Sequence, residues 1–106
     1  MIERHWKGTA KAENAASYIH HLLDETFPQL SSIKGFKKAT ILKSIAGGGI
    51  EFLIITTWDS MDAIKEFAGD NPEIAVVPLK VQEMMSNFDQ KVLHYEVIVH
   101  YDKLNN

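Results

Sequence analysis

Apolar and polar positions along the chain follow two rhythms, one strand-like and one helical. Residues 2–9 mix Trp6 with charged neighbours and read as a strand; Ala12, Ala16, Ile19, Leu23 and Phe27, with Leu22 beside them, then recur at helical spacing. Pro28 is expected to end that helix, because its ring obstructs helical continuation and pushes the preceding residue out of the α region. Gly35 marks the turn into a second strand over 36–45. Gly47, Gly48 and Gly49 supply the permissive backbone of a hairpin, and 51–58 is a strongly apolar third strand. Asp59 or Ser60 is expected to cap a second helix, with Asp62 at the positive end of its dipole and Met61, Ile64, Phe67 and Ala68 along one face. Gly69 to Pro72 closes it, and Val77, Val81, Met84, Met85 and Phe88 suggest a shorter helical piece interrupted near Pro78. Residues 91–101, rich in Val, Ile and Tyr, read as a long last strand before a polar tail over 102–106.

The order β-α-β-β-α-β predicts an α+β, ferredoxin-like fold, an antiparallel sheet with its helices on one face. Two helices cannot cover both faces. On the third strand Ile50, Phe52 and Ile54 alternate with Leu53 and Ile55. On the last strand Leu93, Tyr95, Val97 and Val99 oppose Val92, His94, Glu96 and Ile98. Both strands thus present apolar side chains to each side, and an identical subunit laid sheet to sheet is the economical cover, making the protein a homodimer.

Composition narrows the partners. The 106 residues, with no linker-like stretch, predict one domain spanning 1–106. A net charge of −3 with dispersed Lys and Arg leaves no basic stripe for nucleic acid. The absence of cysteine removes disulfides, thiolate metal sites and a cysteine nucleophile. The opening Met-Ile-Glu-Arg-His is unlike a signal peptide, and no apolar run is long enough for a bilayer, so the expected location is cytoplasmic, away from any membrane.

The run from Trp58 through Phe67 to Asp70, followed by Ala75-Val76-Val77-Pro78, resembles the antibiotic biosynthesis monooxygenase domain. Arg4-His5-Trp6-Lys7-Gly8, Pro28, Gly35 and His94-Tyr95-Glu96-Val97 extend the likeness over nearly the whole chain. The resemblance implies a dimeric α/β barrel of ferredoxin-like monomers. Some members of that superfamily oxidise polycyclic phenols with molecular oxygen and no cofactor, and some degrade heme. Against the heme-degrading pattern, the first strand here has no Asn, Phe67 takes the approximate place of a Trp, and no histidine occurs between Asp59 and Leu93. Gly47-Gly48-Gly49 sits in a hairpin, not between strand and helix, so it gives no sign of a nucleotide cofactor, and no cofactor is expected.

Arg4 and Trp6 share one face of the first strand, and His94 and Glu96 share one face of the last, which neighbours it in a ferredoxin-like sheet. If the faces coincide, His94 is the candidate general base, Arg4 the anion stabiliser, Trp6 a stacking surface and Glu96 an acidic neighbour. The competing reading makes Arg4 and Glu96 a structural ion pair, with Trp6 and His94 as packing. Trp58 either lines a cavity or plugs the barrel end, and Tyr18 either offers a hydroxyl to a sheet–helix pocket or packs. His20 and His21 point about 100° apart, cannot chelate a metal together, and read as solvated or rim residues. Three functions follow: first a cofactor-independent monooxygenase acting on a small aromatic or polyketide-like molecule, then a non-catalytic small-molecule-binding or interaction protein on the same dimer, and last an isomerase or lyase using His94 as base.

Overall fold

Strand β1 (Ile2–Ala10) is the centre of the fold, and its alternation decides which side chains meet the helices. Arg4, Gly8 and Ala10 are buried there, while Lys7 on the opposite face is exposed. These statements come from a computed structural model, which describes residues 1–104.

After β1, α1 (Ala15–His21) runs into one π turn (Leu22–Thr26) and on into α2 (Phe27–Ser31). Pro28 therefore does not end the helix, contrary to the sequence expectation. The physical reason lies one turn earlier. The Phe27 N–H donates to the Leu22 carbonyl, five residues back, and this wider turn takes in a residue that lacks an N–H and whose ring crowds the preceding turn.

β2 (Phe36–Ala46) and β3 (Gly49–Trp58) form the expected hairpin, with Ala46 opposite Gly49. The turn from α2 into β2 needs Gly35. Its φ is +99°, and a Cβ there would lie 2.8 Å from the Ala63 Cβ, so the left-handed backbone and the close approach of the next helix both depend on a missing side chain. That helix, α3 (Met61–Ala68), is capped by Ser60, whose Oγ accepts from the Ala63 N–H at 3.2 Å.

The rest of the chain departs from the expected pattern. α4 (Leu79–Met84) begins directly after Pro78, and Met85–Phe88 is strand β4, not the end of a helix. Regular pairing of the last strand, β5, is confined to Leu93–Glu96 within the expected 91–101. Both short strands pair antiparallel with β1, β4 at Gly8–Ala10 and β5 at Ile2–His5, so two pieces share the position expected for one. Between them the backbone turns away: Lys91 bridges to Ile74, and the Val92 N–H donates to the Glu73 carbonyl. After the Val97 N–H meets the Met1 carbonyl, the chain has passed the start of β1 and has no strand of its own to pair with. Residues 105 and 106 of the polar tail lie outside the described residues.

The five-stranded antiparallel sheet has the order β2-β3-β1, then β4 and β5 end to end along the other edge of β1. Its helix face holds two apolar clusters. Ala10, Tyr18, Leu22, Phe52, Ile54, Val81 and Met85 form one; Leu30, Trp58, Ala63 and Ile64 form the other, and Phe27 packs against both. The opposite face carries Leu42, Leu93 and Tyr95 at 46%, 59% and 50% exposure, next to half-buried Leu53 and Ile55. This is the second apolar face expected from the alternation of β3.

Candidate functional site

Between the two clusters a polar row crosses the helix face of the sheet. Arg4 stands opposite Thr56 on β3 and opposite His94 on β5. One step along β1 on one side are Ile2 and Trp58; on the other are Trp6 and Ile54. A cavity of about 70 Å³ that opens to solvent lies at this seam. β1 contributes Arg4 and Trp6, α1 contributes Tyr18 and His21, the following turn and α2 give Leu22, Thr26 and Leu30, and Phe67, Val77 and Val81 close the far wall.

Arg4 is 6% exposed. One of its terminal nitrogens donates to the carbonyls of Pro72 and Ile74, each at 3.1 Å, its guanidinium carbon lies 5.6 Å from the centre of the Phe67 ring, and its Nε is buried without a partner. Among the described residues no carboxylate comes within 4.0 Å of it. The ion pair with Glu96 weighed from sequence is therefore not formed. Burial alone lowers the Arg4 pKa to about 10, still high enough to keep the charge at neutral pH. An uncompensated cation in an apolar wall is costly, and the missing charge is one that an anionic guest would supply.

Trp6 lies over Gly8, where a Cβ would come within 2.5 Å of the indole Cη2, and its Nε1–H donates to the Asp89 carbonyl at 3.0 Å. The glycine lets the ring lie low on the sheet. Tyr18 is 2% exposed and stacks edge-on against Phe52 with ring centres 5.0 Å apart; burial raises its pKa, so the phenol stays protonated and able to donate.

The remaining expected site residues lie elsewhere. Trp58 is fully buried in the second cluster, donating from Nε1 to Thr56 Oγ1 at 2.9 Å, and does not line the cavity. His94 and Glu96 do share the helix face, yet they border a separate, more open recess with Met1, Ile2, Asp59, Met61 and Tyr95. Arg4 reaches toward the backbone at 72–74, so that Arg4 and Trp6 line the cavity while His94 and Glu96 do not. The His94 Nε2 is buried with no partner; burial first, and the Arg4 charge second, lower its pKa, with Glu73 opposing.

Sequence reasoning passed over His21, which is 8% exposed, lines the cavity and has Nδ1 at 3.2 Å from Glu25 Oε2. The signal was present: His21 stands three residues after Tyr18 on the inward stripe and four before Glu25, the spacing of a helical ion pair. Among the described residues no group of three or more His, Asp or Glu side chains is placed to hold a metal ion.

No family model matches the sequence, and no curated protein matches it. Solved structures do. A candidate antibiotic biosynthesis monooxygenase from Bacillus cereus superposes with a TM-score of 0.67 at 15% identity, covering 99% of this chain and 98% of that one. The chain shares the ferredoxin-like fold of antibiotic biosynthesis monooxygenase-like proteins. A dimeric ferredoxin-like protein from an uncultured marine organism gives 0.60 at 14% identity, covering 97% and 100%. MhuD, in a mutant form with two manganese protoporphyrins per active site, gives 0.62 at 14%, again covering 97% and 100%. At such identities the likeness is one of fold.

A pH dependence of stability follows from His94. Its folded pKa lies below 6.5, so as pH falls through the window beneath that value the unfolded chain takes up the proton first and the native state loses stability. Thermal melts between pH 7.5 and 5.0 are expected to show a falling midpoint, and His94→Gln is expected to flatten that slope.

Proposed function

We propose that the protein binds a flat, acidic aromatic molecule in the seam cavity and oxidises it with molecular oxygen as a cofactor-independent monooxygenase, working as a homodimer in the cytoplasm. The observation that carries this reading is the buried Arg4 guanidinium without a carboxylate partner, set in a wall of Trp6, Tyr18 and Phe67. A phenolate or enolate would place its charge against Arg4 and its ring against the indole, and the protonated Tyr18 would donate to it. Such an anion is electron-rich enough to reduce oxygen itself. One substrate CH₂ becomes C=O, and the second oxygen atom leaves as water with the two hydrogens removed. Arg4 contributes by favouring the anion from which the electrons depart. The candidate monooxygenase of like fold supports the reading.

The dimer is supported by the apolar strip of Leu42, Leu53, Ile55, Leu93 and Tyr95, by the unpaired chain after Val97 with Ile98 and Tyr101 85% and 93% exposed, and by the dimeric neighbour. No helix among the described residues is long and apolar enough to cross a membrane.

Light scattering at micromolar concentration is expected to give twice the 12.0 kDa chain mass; a monodisperse monomer would contradict the assembly. Oxygen uptake screened over anthrone-like and phenolic compounds is expected to identify at least one substrate, and Arg4→Gln to lower its turnover by about 10²-fold. Binding without uptake by the wild-type protein across the panel would leave a small-molecule-binding protein instead.

A further inference from the structure

The geometry points to His21, oriented by Glu25, as the group that takes the substrate proton in the seam cavity. This inference rests on reading the cavity as a small-molecule site but not on the oxygen step. His21 ends α1, where the π turn begins, and is one of the buried residues on the cavity wall. Its Nδ1 faces Glu25 Oε2 at 3.2 Å, and the same oxygen receives a hydrogen bond from Lys80 Nζ at 2.8 Å, tying α4 to the turn. The Lys80 bond is the main cause that lowers the Glu25 pKa, with the His21 bond adding to it, so the carboxylate is ionised and Nδ1 must be the donor.

That assignment fixes the tautomer. With its proton on Nδ1, a neutral His21 carries its lone pair on Nε2, which has no hydrogen-bond partner among the described residues and is not sealed from solvent. A carboxylate behind an imidazole holds the ring in place and stabilises the imidazolium that forms when Nε2 accepts a proton. The charged or titratable groups lining the cavity beside it are Arg4 from β1 and Tyr18 from α1, with Lys80 of α4 acting through Glu25. The wall therefore holds a base for the proton and, at Arg4, a cation for the anion left behind.

The step balances without an oxidant. A C–H bond conjugated through the ring with a carbonyl breaks, its electron pair is delocalised onto the carbonyl oxygen, and an N–H bond forms at Nε2. Return of a solvent proton through the same nitrogen reverses it.

The direct test is anaerobic exchange of the acidic C–H of anthrone in D₂O, followed by mass spectrometry. Oxygen is absent, so the proton step is read alone. Wild-type protein is expected to accelerate exchange over the rate in buffer alone. His21→Gln is expected to lose about 10²-fold. Exposed His20→Gln is expected to match wild type. Glu25→Gln, at an exposed position that should not endanger folding, is expected to lower kcat for exchange with KM unchanged, a split that a merely structural role would not produce. No acceleration by wild type, full exchange in folded His21→Gln, or an undiminished kcat in Glu25→Gln would overturn the assignment. Exchange without oxygen uptake would uphold His21 while removing the monooxygenase reading; uptake undiminished in His21→Gln would do the reverse.

Discussion

One buried charge organises the helix side of this sheet. Arg4 occupies a position that the alternation of β1 turns inward, where an apolar side chain would have merged the two clusters into one core. Instead Arg4 and Thr56 form a polar row between them. Thr56 is satisfied by the Trp58 indole, and Arg4 by two backbone carbonyls that draw the segment at 72–74 over the sheet. The cavity is the space this row leaves open. A buried guanidinium held only by neutral acceptors is expensive, and retaining it in a chain of 106 residues is more readily understood as serving a ligand than as serving stability.

The π turn before Pro28 is a second constraint with a local cause and a distant effect. It lets the helix run on through the proline to Leu30, which reaches the second cluster and the cavity wall. It also begins beside His21 and contains Glu25, so irregular backbone and a paired imidazole occur together, as π turns often do at functional sites.

Much of this was legible in the sequence because it depends on local rules. Period-two alternation puts Arg4 and Trp6 on one face of the first strand and His94 and Glu96 on one face of the last; the glycines locate the hairpin, and Asp59 or Ser60 offers the cap that Ser60 supplies. What escaped depends on tertiary pairing. Met84, Met85 and Phe88 satisfy helical spacing, and only the pairing of Met85 with Ala10 and Phe88 with Gly8, across a register shift in β1, makes that stretch a strand. The last strand was read too long because its composition suits pairing throughout, whereas β1 begins at Ile2 and gives Val97 onward nothing to pair with. His94 was expected at the site because alternation gives the face of a side chain but not how far its cross-strand neighbour reaches along it. His21 was set aside as one of an adjacent pair, when its meaningful relation was to Tyr18 and Glu25.

The claim on which the rest stands is that Arg4 makes the cavity select an anion. Titration of 2-naphthoate and of neutral 2-naphthamide, followed through tryptophan fluorescence in wild type and in Arg4→Met, tests it most directly. The expected result is a preference for the carboxylate of tenfold or more, about 1.4 kcal/mol, that disappears in the folded variant. Equal affinities in the wild type, or a preference that survives the loss of Arg4, would contradict it.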